Sequence, residues 1–382
     1  MIAEAVFWIC AAVVFYTFAG YPMLIVLLAR LRPRPVHRAP IRPTVSLLIV
    51  AHNEEATLAQ KLENSTTLDY PADRLEVVLA SDGSTDATVE IGRKYEPHGV
   101  RVLAFPVRRG KPSVLNDAIP QCCGEIVVLS DARQSYDRYA ISALVENFAD
   151  PKVGAVSGEL YLDSDPQGRA VAGVGYYWRY EKTIRRSESA LDSTIGATGA
   201  IYAIRRTLFE SIPSDTLLDD VLIPVRVARS GYRVIFEPRA KALDTVAKSA
   251  AEEFTRKVRT LSGNAQLFAR ERWLWNPAQN RLWAQTVSHK LLRLVAPVCL
   301  LGVLAASVML VDRGTPYELA LFGQLALYGA ALIGALGRPI SRWRCFSVPY
   351  AFCLLNVTAV VGVVAFLSGR QRITWQKATD TR

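Results

Sequence analysis

The sequence predicts an α/β domain built on a parallel sheet, with transmembrane helices on both sides of it along the chain. Apolar runs typical of buried parallel strands alternate with helix-like patterns between residues 44 and 270. Outside that interval, four charge-free stretches each come close to the roughly 20 residues that cross a bilayer as a helix. They are residues 5–29, 294–311, 319–337 and 346–369. Because 51% of the 382 residues are hydrophobic, the composition also favours a membrane protein.

These patterns divide the chain into segments. We expect a transmembrane anchor (residues 1–31), a basic proline-rich linker (32–43) and the α/β domain (44–270). Interfacial helices (271–293), about three transmembrane segments (294–369) and a basic tail (370–382) are expected to follow. The first stretch is interpreted as a retained anchor, because its start carries no basic residue and its apolar run is too long for a signal peptide. Trp273, Trp275 and Trp283 are assigned to the interfacial helices, since tryptophan favours the headgroup layer.

Basic residues flank the apolar stretches and contribute to a formal net charge of +10. Arg30, Arg32, Arg34 and Arg38 follow the first stretch. By the positive-inside rule, this pattern predicts an integral membrane protein with its α/β domain in the cytoplasm. Four crossings would leave the basic tail on the other side, so a re-entrant stretch stays an alternative. Nucleic acid is not an expected partner, because no basic helix or aromatic-studded sheet motif accompanies the charge.

Polar residues follow each expected strand of the α/β domain. Strands are expected at residues 45–51, 75–81, 100–106 and 125–129. Helices are expected at residues 54–67 and 113–119, and a further helix is expected after residue 86, ending at residue 95. Residues 52–54 follow the first strand, Asp82 the second, Lys111 the third and Asp131 the fourth. Ligands of such sheets bind beyond the carboxyl ends of the strands. No G-x-G-x-x-G or P-loop motif follows any strand, so the sheet is expected to hold its ligand by another route.

Each of these motifs also has a plain structural interpretation. Asp82-Gly83-Ser84-Thr85-Asp86 is compatible with a turn that caps the next helix. Arg109-Gly110-Lys111-Pro112 is compatible with a surface turn, and Ser130-Asp131-Ala132 with the end of a strand. Their order and their common position at one rim favour a ligand site instead. There a carboxylate can accept from a base, a lysine can contact a diphosphate, and an aspartate can hold a divalent cation.

Five motifs occur in the order found in glycosyltransferase family 2. They are Ala51-His52-Asn53-Glu54, Asp82-Gly83-Ser84-Thr85-Asp86, Gly110-Lys111-Pro112-Ser113-Val114-Leu115-Asn116, Ser130-Asp131-Ala132 and Leu218-Asp219-Asp220. Residues 44–270 therefore resemble this family, and the membrane layout is similar to the branch of cellulose, hyaluronan and poly-N-acetylglucosamine synthases. The resemblance implies a GT-A fold and inverting transfer from a nucleotide-sugar donor, with a UDP-sugar favoured.

The resemblance also assigns the residues that bind the donor. Those assigned to the nucleoside are Ala51, His52, Asn53, Glu54 and Asp82. Lys111 would contact the diphosphate, and Asp131 matches the first carboxylate of the family's D-x-D motif, which binds the donor and Mg²⁺ or Mn²⁺. The second carboxylate of that motif is replaced by Arg133. Either one carboxylate suffices for the metal, or Arg133 supplies part of the positive charge.

Catalytic and acceptor residues follow from the same resemblance. Asp220 matches the general base of the family's acidic pair, with Asp219 in place of the usual glutamate. Thr198 and Gly199 lie in a small-residue stretch that matches the lining of the acceptor site. Inverting transfer independently requires a carboxylate within hydrogen-bond reach of the acceptor hydroxyl. The structural alternative for the two acids is a helix start, where carboxylates favour the positive end of the helix dipole.

One segment near the end of the α/β domain differs from the polymerising relatives, which carry Q-x-x-R-W there. Arg256 and Arg259 are assigned to the acceptor and the diphosphate, and Arg259 keeps the arginine of that motif. Thr260 replaces the tryptophan that stacks on the acceptor sugar. Arg272-Trp273 is a rival match, but it lies farther downstream than the family spacing suggests. The missing tryptophan argues against a processive polymerase.

Together these assignments predict an inverting glycosyltransferase that extends a lipid-linked or growing glycan acceptor in cell-surface or exopolysaccharide biosynthesis. An amphiphilic acceptor is expected because membrane segments follow the catalytic domain. Other polysaccharide assembly or export proteins are expected partners. Two alternatives stay open: a processive synthase that also translocates its product, and a non-catalytic sugar-nucleotide-binding subunit. The joint presence of Asp82, Lys111, Asp131 and Asp220 argues against the second alternative.

Overall fold

The chain divides into two compact units. The computed structural model describes residues 1–162, 174–244, 250–336 and 343–369. One unit, here called the helical unit, contains the described residues of Met1–Arg32, Asp165–Ser187 and Ala247–Gln371. The other, here called the sheet unit, contains those of Pro33–Ser164 and Glu188–Val246. The predicted basic tail, residues 370–382, lies outside the described residues.

The elements are numbered along the chain. The helices are α1 (Ile2–Phe15), α2 (Tyr21–Leu31), α3 (Glu55–Thr66), α4 (Thr88–Lys94), α5 (Lys111–Ala118), α6 (Ala140–Val145), α7 (Val174–Leu191), α8 (Asp219–Arg229), α9 (Ala250–Arg270), α10 (Trp283–Thr286), α11 (Leu292–Leu310), α12 (Thr315–Ala335) and α13 (Arg344–Leu367). The strands are β1 (Val45–Ala51), β2 (Leu75–Asp82), β3 (Val100–Phe105), β4 (Ile126–Asp131), β5 (Ser135–Tyr136), β6 (Val153–Leu162), β7 (Ile201–Arg205) and β8 (Arg233–Asp244). Within the described residues, the strands form one sheet in the order β3-β2-β1-β4-β7-β6-β8-β5.

The first four strands form the parallel half of the sheet that the sequence predicts. β1 lies between β2 and β4, with Ala51 opposite Ser81 and Val50 opposite Asp131. β3 pairs with β2 on the outer side. Nearly all of β1 is buried, and burial on both faces is why its residues, apart from Ser46, are apolar without alternation. The carboxyl ends of these strands therefore meet at one rim.

The second half of the sheet differs from the parallel arrangement that the sequence predicts. β7 runs antiparallel to both β4 and β6, whereas β6 and β8 are parallel to each other. Buried strands of either direction are short apolar runs in sequence, so their pattern does not encode direction. The reversal has a consequence for the rim. Ile201, the first residue of β7, lies opposite Ser130, so the segment preceding β7 reaches the rim where Asp131 lies.

Four helical spans of the described chain are long and apolar enough to cross a membrane, as the sequence predicts. They are Ile2–Leu31, Trp283–Arg313, Thr315–Ala335 and Arg344–Leu367. The first includes a π-helical turn between α1 and α2, just before Pro22. Small residues allow close packing within the helical unit, since a Cβ on Gly302 of α11 would lie 2.8 Å from the Cys10 sulfur of α1.

The basic linker is bound to the sheet unit along part of its length. The buried Arg233 guanidinium donates to the main-chain oxygens of Arg34 and Pro35, at 2.9 and 3.4 Å. Arg38 forms an ion pair with the buried Glu237 at 3.4 Å. The charge of Arg38, one of the basic residues expected beside the membrane, is therefore neutralised by an acid of the sheet unit.

Candidate active site

The residues selected from the sequence follow the strands as predicted. β1 ends at Ala51, immediately before His52, and β2 ends at Asp82. β4 ends at Asp131. Helix α5 begins at Lys111, two residues earlier than the sequence pattern indicates, and Pro112 occupies its first turn. The lysine is thus anchored in a helix and does not lie in a surface turn.

Lys111 is the centre of a buried charge cluster. Its Nζ donates to Asp131 Oδ1 at 2.8 Å and lies 3.4 Å from Asp219 Oδ2, while the lysine is only 9% exposed. Burial disfavours the ammonium, but the carboxylates of Asp131, Asp219 and Asp220 outweigh it and raise the pKa of Lys111 above its usual value. The lysine therefore stays charged across the physiological pH range.

The two acids of the Leu218-Asp219-Asp220 motif have different surroundings. Both lie in the first turn of α8, so the helix start expected from the structural alternative is present. Asp219 is 5% exposed and accepts a long hydrogen bond from the Tyr202 hydroxyl at 3.5 Å, besides its contact with Lys111. Asp220 is half-buried. A fully buried, ion-paired acid followed by a more accessible one suits a division into a structural and a reactive carboxylate.

Burial and the carboxylates of Asp219 and Asp220 raise the pKa of Tyr202 well above its usual value. Its hydroxyl therefore stays protonated and donates toward the acidic pair. Tyr202 is fully buried on β7, and none of the sequence motifs includes it.

The small-residue stretch before β7 lies against Asp220. A Cβ built on Gly199 would be 2.9 Å from Asp220 Oδ2, so glycine is what leaves room for this carboxylate. Gly196 has a φ of +86°, a conformation that favours glycine, and the Ala197 N–H donates to the Asp220 main-chain oxygen at 2.7 Å. The Thr198 N–H donates to Ser157 Oγ at 2.9 Å. The predicted acceptor residues and the predicted base are therefore neighbours.

Asp82 has a structural task at the same rim. Its two carboxylate oxygens accept from the main-chain N–H groups of Arg109 and Gly110, at 2.7 and 2.8 Å. Gly110 has a φ of +89° and immediately precedes Lys111. Asp82 thus fixes the turn that starts α5. Its predicted contact with the nucleoside stays a prediction.

The Ala51-His52-Asn53-Glu54 motif forms a turn bound to the second motif. His52 Nδ1 donates to the Asp82 main-chain oxygen at 2.7 Å. Asn53 has a φ of +53°, and its Oδ1 accepts from the Thr85 N–H at 2.8 Å. The Glu54 N–H donates to Thr88 Oγ1 at 2.8 Å. These bonds join segments that are 30 to 34 residues apart along the chain, and the nucleoside contacts of the turn stay predictions.

Arg256 and Arg259 belong to the helical unit, on α9, and their predicted roles at the site stay predictions. Thr260, on the same helix, is exposed, and its hydroxyl donates back to the Arg256 main-chain oxygen at 3.0 Å. The rival Trp273 is only 8% exposed, and its indole N–H donates to Glu271 at 2.8 Å. A buried indole presents little of its face to a sugar, and the interfacial position expected for Trp273 stays a prediction.

Lys61 is a second residue that the sequence analysis did not select. It lies on α3 and its Nζ donates to the Gln134 main-chain oxygen at 2.7 Å, in the segment that follows Asp131. Burial lowers the pKa of Lys61 to about 7, against the opposing effect of the Asp131 charge. A signal was present in the sequence, because Lys61 shares a helical stripe with Leu58 and Leu62.

Comparison with known proteins confirms the family resemblance and the fold class. Residues 46–212 match the family model of glycosyl transferase family 2, in agreement with the resemblance of the sequence motifs. The solved structure of a mannosyltransferase from Pyrobaculum calidifontis, in complex with GDP-Man and Mn²⁺, is similar to this chain. The match covers 97% of this chain and 100% of the mannosyltransferase chain, with 26% sequence identity and a TM-score of 0.72.

Two relatives have similar sequences. A poly-beta-1,6-N-acetyl-D-glucosamine synthase of Staphylococcus epidermidis is 24% identical over 274 residues, which are 70% of this chain and 65% of the relative. A probable glycosyltransferase of Bacillus subtilis is 29% identical over 219 residues, which are 52% of this chain and 50% of the relative. The chain thus spans less than two thirds of the length of either relative.

A first prediction concerns the contact between Gly199 and Asp220. In Gly199→Ala, the new methyl group would push the Asp220 carboxylate aside, because the two would otherwise lie 2.9 Å apart. The clash involves the end of a flexible side chain, so we expect the thermal midpoint to change by no more than a few degrees while turnover falls roughly tenfold or more. Steady-state kinetics and a thermal melt of the same preparation measure both. Turnover equal to wild type would contradict the contact's importance.

Proposed function

We propose that this protein is an inverting glycosyltransferase, which transfers a sugar from a nucleotide-sugar donor to a lipid-linked or growing glycan acceptor. The observation that carries the proposal is the buried Lys111 ammonium, which lies between Asp131 and Asp219. Asp220 follows Asp219 in the first turn of α8. This arrangement combines a positive group for a departing diphosphate with a carboxylate for an incoming hydroxyl. Both lie at the rim where ligands of α/β sheets bind.

Asp220 is the proposed general base. In the transfer, the acceptor oxygen bonds to the anomeric carbon while the bond from that carbon to the diphosphate oxygen breaks, and the acceptor proton passes to a carboxylate. Asp219 is buried and paired with Lys111, which suits it to holding the lysine. Asp220 is more accessible and has the Gly199 backbone beside it, which leaves space for an acceptor hydroxyl.

Lys111 is the proposed contact of the leaving diphosphate. A charged group placed in advance where negative charge develops stabilises the transition state more than the ground state. Arg133 is exposed at the same rim, two residues after Asp131, and supplies a second cation in the place of the family's second carboxylate. Lys111 and Arg133 are thus the proposed side chains that stabilise the negative charge of the leaving diphosphate.

Asp131 is the proposed ligand of a divalent cation, Mg²⁺ or Mn²⁺. No cluster of three or more candidate metal ligands occurs among the described residues. This fits ions that commonly use one or two carboxylates and complete their coordination with substrate phosphates. When bound, such an ion would neutralise charge on the diphosphate. The similar mannosyltransferase was solved with Mn²⁺, which supports the choice of a divalent ion.

UDP and GDP are the two candidates for the nucleotide of the donor. Relatives named for poly-N-acetylglucosamine synthesis favour a UDP-linked N-acetylhexosamine, and the similar solved structure contains GDP-Man. Nucleotide release from purified protein, scored against a panel that includes UDP-N-acetylglucosamine and GDP-mannose with and without a primer, tests the proposal. Absence of donor-dependent release across the whole panel would contradict it and favour a non-catalytic binding subunit.

The proposed location is the bacterial inner membrane, with the sheet unit on the cytoplasmic side, where nucleotide sugars are made. The four apolar helical spans support an integral membrane protein. Arg30, in the last turn of the first span, and Arg32 and Arg34, just beyond it, support the cytoplasmic side by the positive-inside rule.

The first prediction from this proposal is that Asp220→Asn abolishes transfer while donor binding stays nearly intact. Asparagine keeps the shape but cannot take the acceptor proton, and loss of a general base costs roughly 10²–10⁴-fold in rate. Turnover and donor affinity are measured separately on the purified protein. Asp73→Asn, which changes an exposed aspartate of the same unit, is the matched control and should behave as wild type. Wild-type turnover in Asp220→Asn would refute the assignment.

A further prediction is that transfer requires a divalent cation held through Asp131. EDTA should stop the reaction, and added Mg²⁺ or Mn²⁺ should restore it, because both prefer oxygen ligands. Asp131→Asn should raise the metal concentration needed for half-maximal activity by roughly tenfold or more, since it removes a charged ligand. Full activity in chelator would instead assign the charge on the leaving group to Lys111 and Arg133 alone.

Product length gives the next prediction: the enzyme adds one or a few sugars per encounter. Thr260 offers no aromatic face, and the nearby Trp273 is buried. Truncating a buried aromatic contact commonly costs on the order of 2 kcal/mol, so without a stacking platform the extended product should dissociate between additions. Products sized early in a reaction with donor and short primer should advance as an even ladder. Long polymer appearing beside mostly unextended primer would favour a processive synthase.

A further inference from the structure

Lys61 is a buried charged residue that the mechanism above does not use. It lies on the apolar stripe of α3, together with Leu58, Leu62 and Ser65, and is 2% exposed. Methionine or leucine could fill this position without the cost of burying an amine. The contacts of the lysine must therefore offset that cost.

Two contacts hold the Lys61 amine. Nζ donates to the Gln134 main-chain oxygen at 2.7 Å and lies 3.7 Å from the centre of the Tyr136 ring. The Gln134 carbonyl belongs to the short segment between β4 and β5, outside the paired parts of the sheet, and a buried carbonyl there needs a donor. Lys61 supplies that donor from a neighbouring helix.

Asn64 lies three residues further along α3 and holds the same segment. Its Oδ1 accepts from the Tyr136 N–H at 2.7 Å, and its Nδ2 donates to the Tyr136 main-chain oxygen at 3.0 Å. The two side chains therefore attach residues 134–136 to one face of α3, and their hydrogen bonds go to the main chain of that segment.

The attached residues 134–136 belong to a longer segment, residues 131–136, which joins the two sides of the candidate site. This segment starts at Asp131, the last residue of β4, and passes through Arg133. At its other end, the Tyr136 hydroxyl donates to the Ala200 main-chain oxygen at 2.9 Å, and Ala200 adjoins Gly199. A shift of the segment would thus move the proposed diphosphate contacts and the edge beside Asp220 together.

We propose that Lys61 is a positioning residue, which holds residues 131–136 so that Asp131 and Arg133 face the donor diphosphate. The inference rests on the proposed function for the identity of the ligand. Lys61 itself does not touch the substrate. It acts through the main chain of Gln134, so its loss should change the binding of metal and nucleotide without removing any of their ligands.

The test compares Lys61→Met with Lys61→Arg and Ser65→Ala in the full-length protein. Methionine fills the space but donates nothing, arginine keeps both the donor and the charge, and Ser65 lies on the same buried stripe with its hydroxyl bonded within α3. Hydrogen exchange of peptides covering residues 126–137 reports the segment directly. Mn²⁺ titrations followed by electron paramagnetic resonance, in saturating UDP and separately in saturating GDP, report the site.

We expect Lys61→Met to speed exchange in residues 131–136 by about tenfold or more and to weaken nucleotide-dependent Mn²⁺ binding by a similar factor, because a buried carbonyl loses its donor. Exchange in β1 and β2 should stay unchanged. Lys61→Arg should restore most of both properties, and Ser65→Ala should match wild type.

Unchanged exchange in residues 131–136 would overturn the proposal. An equal rise across all strands, or faster local exchange with unaltered Mn²⁺ binding, would also overturn it, because Lys61 would then only stabilise the fold. If the wild-type protein fails to bind Mn²⁺ both in saturating UDP and in saturating GDP, the proposed function is what fails. The exchange comparison still decides the role of Lys61 in that case.

Discussion

The ion cluster around Lys111 is the constraint on which the rest of the site depends. A buried ammonium needs partners that compensate for its lost hydration, and for Lys111 the carboxylates of Asp131 and Asp219 provide this compensation. The three residues come from α5, β4 and α8, so the cluster forms only when these elements are assembled. The dependence is mutual, since acids gathered at one rim would repel one another without the lysine.

Several local features serve to deliver the members of this cluster. The Asp82 carboxylate fixes the turn at Arg109 and Gly110, and the positive φ of Gly110 lets α5 begin at Lys111. The antiparallel direction of β7 brings the stretch before it to the rim where Asp131 lies. Neither feature is a catalytic group, yet each decides where a proposed catalytic group lies.

The acidic pair illustrates how one helix start can serve two purposes. Carboxylates in the first turn of α8 are favoured by the helix dipole, which accounts for two adjacent acids without any chemistry. Burial then separates their surroundings, because Asp219 is enclosed with Lys111 and Tyr202 while Asp220 stays half-buried beside Gly199. The structural and the catalytic interpretations of this motif are therefore compatible.

By itself, the sequence determined the four long apolar helical spans, the first four strands and the rim positions of Asp82, Lys111 and Asp131. These follow from local rules, because apolar runs, strand ends and motif order are properties of neighbouring residues. Only the tertiary structure decided the direction of β7, the contact of Gly199 with Asp220 and the attachment of Gln134 to Lys61. Each of these joins segments separated by many residues, and a buried lysine on an apolar stripe acquires its meaning only from the carbonyl that it meets.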